Sequence, residues 1–245
     1  MIGCKCPVCS APKNARLRPS GLIRAHGKTL LLDVGPDFRQ QALKFGIDHL
    51  DGLLLTHTHF DHIAGIDELR LFCHRQKKPF PCLLSRDSYI ELKKRYDYLF
   101  YPPMEGASTA AKFAFQILEQ DAGRTTFLDV PVGFLSFIQG GMKVTGFRIG
   151  NFAYVSDIRH YTDAIFEELK GVEVLVLSAL RPENSPVHLS FEEAVSFARQ
   201  AGAKQTWLTH LGHFVGQDEG NALLPPDIRL SYDGLELEFE IKPHA

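Results

Sequence analysis

Apolar runs separated by short polar segments recur along the chain, and several have the length of a buried strand. Residues 27–33 and 51–56 are both rich in leucine. Strands covered on both faces of a sheet are continuously apolar, so both segments predict buried strands. Between them, the turn Val34–Asp37 precedes a helix predicted over residues 38–45. This order of strand, helix and strand is typical of an α/β protein.

Four later apolar runs also predict strands, over residues 152–156, 174–178, 206–209 and 230–241. The last run alternates as an edge strand or hairpin does, with a turn at residues 232–234. Ser190 and Glu193 form a capping-box signature, which predicts a helix over residues 191–201. Residues 98–111 follow no clean period, and we interpret them as an irregular aromatic loop.

Composition and charge narrow the class of protein. With 245 residues, 44% of them hydrophobic, the chain can build a large core. We find neither internal repeats nor a low-complexity linker, so we predict one domain over residues 1–245. A formal net charge of −2 gives no attraction toward nucleic acid or anionic membranes. No apolar run approaches the roughly 18 residues of a membrane-spanning helix, and the amino terminus lacks a signal-peptide core. We therefore expect a cytoplasmic protein without a membrane partner.

Four potential metal ligands lie within six residues after the second predicted strand, in the pattern H-x-H-x-D-H. His57 and His59 are two apart in an extended loop, so both project to one side and can bind one ion. Asp61 and His62 begin a segment with helical spacing over residues 63–72 and can bind a second ion. Imidazole and carboxylate suit Zn, Mn or Fe, and paired ions activate water in many hydrolases. A surface loop with chance histidines is the alternative, although eleven histidines in 245 residues seldom place three so close.

Three of the later strands are followed by ionisable residues. Asp157 follows residues 152–156, a loop with His188 comes after residues 174–178, and His210 follows residues 206–209. Because ligands bind at the carboxyl ends of strands in open α/β sheets, we expect these side chains to join the H-x-H-x-D-H loop.

The five cysteines form two groups. Cys4, Cys6 and Cys9 are clustered at the start, and in a reducing compartment such thiols favour zinc, which needs a fourth ligand. An incidental cluster or redox-active thiols are the alternatives. Cys73 and Cys82 are isolated, and we interpret them as packed or half-exposed thiols.

Four segments together resemble the metallo-β-lactamase superfold, in the branch of PhnP, the carbon-phosphorus lyase accessory phosphodiesterase. They are residues 3–9, the H-x-H-x-D-H loop, residues 146–157 and residues 209–213. The resemblance extends over nearly the whole chain and implies an αβ/βα four-layer sandwich. Family members usually begin with a strand and a Gly-rich turn ahead of the cysteines, so the resemblance implies either that this first strand is missing here or that the start of the chain is misassigned.

The resemblance also implies a role for each site residue. His57 and His59 would bind the first metal, and Asp61, His62 and His210 the second, with Asp157 bridging both. A hydroxide held between the ions would be the nucleophile. The candidate catalytic residues are His188, near the substrate phosphate, and Asp61; ordering its own loop is the alternative role for His188. Asp33 would brace the metal loop, and His213 would complete a structural zinc site with Cys4, Cys6 and Cys9.

One position departs from the family pattern. Gln139, followed by Gly140, stands where relatives supply another histidine to the first metal. An amide oxygen is a weaker ligand for zinc than imidazole, so we predict weak occupancy of the first site, with Gln139 as a weak ligand.

The leading hypothesis is a metal-dependent phosphodiesterase that hydrolyses a small or cyclic phosphate ester with two divalent ions, Mn or Zn, or Fe. An RNase Z-type nuclease is an alternative, disfavoured by the absence of a long basic arm and by the slightly acidic net charge. A third hypothesis is a catalytically impaired binding protein. The resemblance implies a homodimer.

Overall fold

The computed structural model describes residues 1–100 and 110–241. The chain divides into two compact units: unit 1 comprises Met1–Leu17 with Val132–Ala245, and unit 2 comprises Arg18–Pro131. The single domain over residues 1–245 stays a prediction, because the compactness of each unit does not decide whether the two fold as one. Most of the interpreted aromatic loop, residues 101–109, lies outside the described residues.

Short helices and strands alternate throughout the described ranges. The helices are α1 Pro7–Ser10, α2 Phe38–Phe45, α3 Phe60–Ile63, α4 Arg70–Gln76, α5 Arg86–Arg95, α6 Ala164–Glu168, α7 Phe191–Ala201 and α8 Gln217–Ala222. The strands are β1 Gly21–Ala25, β2 Lys28–Leu32, β3 Gly52–Leu54, β4 Phe80–Ser85, β5 Phe113–Leu118, β6 Ala122–Phe127, β7 Val130–Gln139, β8 Met142–Ile149, β9 Phe152–Val155, β10 Val174–Ser178, β11 Gln205–Thr209 and β12 Ile228–Leu230. Within residues 1–100 and 110–241, no helix has the length and apolar character needed to cross a membrane.

Unit 2 contains a sheet with the strand order β1-β2-β3-β4-β5. Strands β1 and β2 are antiparallel, and the remaining neighbours are parallel. The predicted leucine-rich strands are confirmed as β2 and β3, and Leu31, Leu53 and Leu55 are buried in the core of this unit. The predicted helix over residues 38–45 is confirmed as α2. Residues that follow β3 therefore leave the carboxyl edge of a parallel sheet.

In unit 1 the strands lie side by side in the order β12-β11-β10-β9-β8-β7. Strands β9, β10, β11 and β12 are mutually parallel, whereas β7, β8 and β9 are antiparallel. Three predicted strands are confirmed as β9, β10 and β11. Helix α7 begins at the predicted capping box, because Ser190 Oγ accepts the Glu193 N–H and the Glu193 carboxylate accepts the Ser190 N–H. The residues after β9, β10 and β11 thus share one edge of the sheet.

Two predicted elements are present only in part. A helix begins where it was predicted, since Asp61 and His62 lie in the first turn of α3. The segment with helical spacing over residues 63–72 is broken into α3, a 3₁₀ turn at Ile66–Leu69 and α4. Gly65 N–H donates to Val34 O at 2.8 Å, and this contact with a distant segment interrupts the helix. In the run over residues 230–241, only the first residue belongs to a strand, β12. Near its end, Glu240 makes two bonds to one residue, because its N–H donates to Asn151 Oδ1 at 2.7 Å and its O accepts the Asn151 N–H at 3.0 Å, and these bonds do not continue as a strand ladder.

Candidate metal centre

The loop after β3 brings the histidines of the H-x-H-x-D-H motif together in unit 2. His57 and His62 are fully buried, and their ring centroids are 4.3 Å apart. His57 Nε2 lies 2.9 Å from His59 Nδ1. The Asp61 carboxylate lies 3.9 Å from His62 Nε2. Two imidazole nitrogens at this separation can bind one metal ion, as the spacing of His57 and His59 predicts.

Asp33 connects to both ends of this loop. Its Oδ2 lies 2.7 Å from His62 Nδ1, and its Oδ1 accepts the Thr56 backbone N–H at 2.8 Å. The Thr56 hydroxyl donates to Asp33 Oδ2 and lies 2.9 Å from His57 Nδ1. Asp33 itself has a positive φ of 57°, a conformation that the surrounding contacts must hold. Thr56 was not predicted as a site residue, although a threonine directly before His57 at the end of a buried strand is the signal that marks it.

The loop also depends on a close backbone approach. Val34 N–H donates to His62 O at 2.8 Å. A side chain at Gly35 would collide with the backbone oxygen of Asp61, so only glycine fits there. On the other side, the Arg95 guanidinium donates to Thr58 O at 2.6 Å. Neither Gly35 nor Arg95 carries a sequence signal for this role, because each contact joins distant segments.

Unit 1 brings three other predicted residues together. Donor atoms of Asp157, His188 and His210 lie within 4.8 Å of one another. His210 Nε2 is 3.2 Å and His188 Nδ1 is 3.9 Å from Asp157 Oδ1. The rings of His188 and His210 are stacked with centroids 4.7 Å apart. One carboxylate and two imidazoles in this geometry suit a divalent ion such as Zn or Mn. His188 therefore lies beside Asp157 and His210, as the sequence predicts, and it has the position of a potential ligand in addition to the catalytic role that the resemblance implies.

Hydrogen bonds from neighbouring strands fix these residues. Ser178 Oγ at the end of β10 accepts the Ile158 N–H at 3.2 Å, which holds the residue after Asp157. Arg159 Nη1 donates to Glu193 Oε1 at 2.7 Å and lies 3.5 Å from His188 O. Asp157 and His210 both have positive φ values, of 58° and 59°. Ser178 and Arg159 were not predicted as site residues, because their partners lie 20 and 34 residues away in the chain.

Cys4, Cys6, Cys9 and His213 form a second group in unit 1, called the Cys–His cluster below. Their donor atoms all lie within 4.8 Å of one another. His213 Nδ1 lies 3.5 Å from Cys4 Sγ and 3.6 Å from Cys6 Sγ. Ligand atoms around a tetrahedral zinc with Zn–S bonds of about 2.3 Å are separated by roughly 3.5–4 Å, so the cluster fits zinc. Hydrogen bonds lower the pKa of Cys6 to about 6: the largest effect comes from the Cys9 N–H and the next from the His213 side chain. The lowered pKa favours the thiolate form, which is the form that binds zinc.

The remaining cysteines have ordinary surroundings. The Cys73 thiol is half-buried and lies 3.4 Å from Lys112 O. Cys82 is fully buried in β4, and burial raises the pKa of its thiol. Cys82 is therefore a packed thiol and Cys73 a half-exposed one, as the sequence predicts.

Gln139 ends β7, beside a turn in which Gly140 and Gly141 have positive φ values of 55° and 82°. Its side chain is 5% exposed. Its Oε1 atom is buried and has no hydrogen-bond partner among the residues that the structure describes. A buried amide oxygen without a partner costs about 1–3 kcal/mol, and a bound cation would satisfy it.

Apart from Gln139, the predicted site residues thus form three groups, each within one unit: the H-x-H-x-D-H loop with Asp33, the Asp157 group and the Cys–His cluster. The joining of the first two groups into one two-metal site, and the roles assigned to their members, stay predictions.

Comparisons with known proteins agree on one fold. Residues 28–211 match the family model described as the beta-lactamase superfamily domain. A solved structure of a new diphosphatase from the PhnP family is 35% identical, with a TM-score of 0.87, and covers 98% of this chain and 92% of that chain. The predicted metallo-β-lactamase-like fold and the PhnP-like branch are therefore confirmed.

Two curated relatives have other names. An octanoyltransferase of Porphyromonas gingivalis is 34% identical over 248 residues, or 96% of this chain. The match covers 48% of that protein, so this chain spans about half of its length. A ribonuclease Z of Bradyrhizobium diazoefficiens is 42% identical over 62 residues, which are 24% of this chain and 21% of that protein.

Proposed function

Because this chain belongs to the beta-lactamase superfamily of hydrolases, in its PhnP family, we propose that it is a metal-dependent phosphodiesterase acting on a small or cyclic phosphate ester. Donor atoms gather at the strand ends of both units, and this observation carries the assignment. The nitrogens of His57 and His59 are 2.9 Å apart, and His210 Nε2 lies 3.2 Å from Asp157 Oδ1. Imidazoles and carboxylates in such close pairs are the ligands of metal-assisted hydrolysis.

Two divalent ions, Mn or Zn, or Fe, are the proposed cofactors. His57 and His59 would hold the first, and His62, Asp61 and His210 the second, with Asp157 shared. When bound, such ions lower the pKa of water and polarise the phosphoryl oxygens of the ester. Gln139 in place of a further imidazole would leave the first site the weaker of the two. The Cys–His cluster would hold a structural zinc.

Other side chains would orient the metal ligands and assist the leaving group. Asp33 would fix the ring of His62 by accepting its Nδ1–H. A histidine that binds a metal usually has such a hydrogen bond on its other ring nitrogen. His188 stacks on His210 beside Asp157, and we assign it a hydrogen bond or proton to the leaving oxygen. Burial of His57 and His62 excludes water from their rings and strengthens the electrostatic interactions there.

The relatives define the competing activities. The PhnP-family relative is a diphosphatase, and a diphosphate bond is the corresponding candidate target for this chain within the same chemistry. The matched segment of the ribonuclease Z favours RNA processing as the second candidate. The octanoyltransferase is a protein about twice as long as this chain, and its name makes acyl-group chemistry the third candidate. Gln139 supports a further alternative, a binding protein without turnover.

One panel of substrates separates these candidates. The purified chain, supplied with Mn²⁺, Zn²⁺ or Fe²⁺, is assayed with bis-p-nitrophenyl phosphate, a cyclic nucleotide, a dinucleoside diphosphate, precursor tRNA and an octanoyl thioester. We expect hydrolysis of the phosphate diesters, and its loss in His59→Ala. Cleavage of the RNA alone or of the thioester alone would replace the proposal. If the wild type and His59→Ala both show only the background rate with every metal, the alternative of a binding protein without turnover is favoured. Light scattering of the same sample tests the expected homodimer.

A further inference from the structure

We infer that the Cys–His cluster positions His210 and His188, so that Gly212 and His213 are positioning residues for the proposed phosphodiesterase. The inference rests on that proposed function for its kinetic consequences. All the residues involved lie in unit 1, and a continuous set of bonds and contacts connects them.

The first connection is the chain itself. His210 belongs to the Asp157 group, and His213, three residues later, belongs to the Cys–His cluster. His210 has a positive φ of 59°, although it is not glycine. Such a conformation costs about 1–3 kcal/mol and persists only where the surroundings hold it. The segment between the two histidines must therefore be fixed from outside.

Gly212 is fixed on one side by the strand-end loop of β10. Its N–H donates to Leu180 O at 2.8 Å, and Leu180 N–H donates to Leu189 O at 3.1 Å. Leu189 directly follows His188. The backbone bonds thus connect Gly212 to both histidines of the Asp157 group.

Neighbouring atoms leave no room for a side chain at Gly212. An added Cβ would lie 2.6 Å from the Phe214 ring and 3.2 Å from Leu180 O. The Phe214 ring is also 5.0 Å from the His213 ring and 5.0 Å from the guanidinium of Arg181. A shift of residues 212–214 would therefore break the bond to Leu180.

The cluster holds the same segment on the other side. Cys4 and Cys6 both place their sulfurs beside His213 Nδ1, and the Cys6 thiol also lies 3.9 Å from His213 O. The arm that carries these cysteines is tied to Gln217, because Asn14 Oδ1 accepts the Gln217 N–H at 2.9 Å. His213 is thereby held through its ring and its carbonyl, and the bond to Leu180 O holds Gly212, the residue before it.

The alternative is that the Cys–His cluster only holds residues 1–17 in place. Its loss would expose that arm to proteases and leave the Asp157 group unchanged. Under our inference, its loss also frees residues 210–213 and misplaces His210, which weakens metal binding and lowers turnover.

The first test compares His213→Ala with the conservative His213→Cys. Four thiolates also form a structural zinc site, so His213→Cys should retain zinc and act as the rescue variant. Mn²⁺ prefers oxygen and imidazole to thiolate, so its binding, followed by EPR of free Mn²⁺, reports the catalytic donors. We expect His213→Ala to weaken Mn²⁺ binding and lower kcat by about 10–100-fold, as losses of supporting contacts do, with KM little changed. His213→Cys and the control Cys73→Ser should resemble the wild type.

The second test leaves the cluster intact. We expect Gly212→Ala to keep its zinc, measured by mass spectrometry, but to lose kcat and Mn²⁺ affinity by roughly tenfold or more. Combining it with Phe214→Ala removes the closest contact and should restore part of the loss. Wild-type Mn²⁺ affinity in both His213→Ala and Gly212→Ala would overturn the inference. If the wild type hydrolyses no substrate, the proposed function fails, whereas the Mn²⁺ affinities still decide the positioning role.

Discussion

Asp33 Oδ2 lies 2.7 Å from His62 Nδ1, and both side chains are fully buried in unit 2. This contact leaves His62 Nε2 as the nitrogen for a metal. Asp33→Asn keeps the size of the side chain and removes its charge. We expect metal affinity or turnover to fall by about 10–100-fold, because a ligating histidine loses its orienting carboxylate. Mn²⁺ titration and kcat measure the effect.

Asp51→Asn is the matched control for this change. Asp51 belongs to the same unit and accepts the Thr29 N–H at 2.8 Å, but it contacts no predicted ligand. Thermal unfolding of the metal-free proteins checks that both variants fold. Wild-type affinity for Mn²⁺ in a folded Asp33→Asn protein would show that Asp33 has no part in metal binding.

Ser190 caps α7, the helix that follows the loop of His188. Its hydroxyl accepts the Glu193 N–H at 3.2 Å, and its side chain is buried. Loss of such a cap costs about 1 kcal/mol, so Ser190→Ala should lower the free energy of unfolding by that amount in urea titrations. Ser196→Ala, an exposed position inside the same helix, should cause no loss, because alanine is the better helix former. Equal stabilities for the two variants would contradict the capping role.

The ion pair of Glu193 with Arg159 should make stability depend on pH. Burial raises the pKa of Glu193, but bonds from the Ser190 N–H and the Arg159 guanidinium outweigh it and lower the pKa overall. A carboxyl group with a lowered folded pKa adds stability above its unfolded pKa, and this stability is lost as pH falls through the folded value. Glu193→Gln keeps the bond to Ser190 but not the charge.

We expect Glu193→Gln to lose up to about 1 kcal/mol at neutral pH, because the pair is partly exposed. In acid the variant and the wild type should become equally stable. Urea titrations of both proteins across this pH range measure the difference. A gap that stays constant down to strongly acidic pH would exclude the ion pair as its cause.

The confirmed elements are those with local signals. Leucine runs identify β2 and β3, and the capping box identifies the start of α7. The H-x-H-x-D-H spacing likewise places His57 beside His59, because two residues in an extended loop project to one side. These features need only a few neighbouring residues, so the sequence is sufficient to find them.

Features that depend on distant partners were missed. The helix breaks after α3 because the Gly65 N–H donates to Val34 O. The Ile158 N–H, just after β9, donates to Ser178 Oγ at the end of the neighbouring strand β10. The positive φ values of Asp157 and His210 were missed as well, because Asp and His adopt that conformation more often than most residues but still in a small minority of positions, so residue type alone does not predict it. Such contacts are decided by tertiary packing, which neither residue spacing nor hydrophobic pattern encodes.

Gln139 gives the last prediction, which concerns the first metal. Its buried Oε1 has no hydrogen-bond partner within the described ranges, so the position can accept a cation or a side chain that binds one better. Imidazole is a stronger ligand than an amide for Zn and Mn. We expect wild-type protein to hold one catalytic ion tightly and one weakly, and Gln139→His to tighten the weak site by roughly tenfold, about 1.4 kcal/mol.

Calorimetric titration with Zn²⁺ or Mn²⁺, together with metal analysis after gel filtration, measures both sites. Gln205→His is the control, because it adds an imidazole at an exposed position at the start of β11. An equal gain in both variants would indicate nonspecific binding by the new histidine. Two tightly held catalytic ions in the wild type would show that the amide is an adequate substitute, and Gln139 could no longer explain a weak first site.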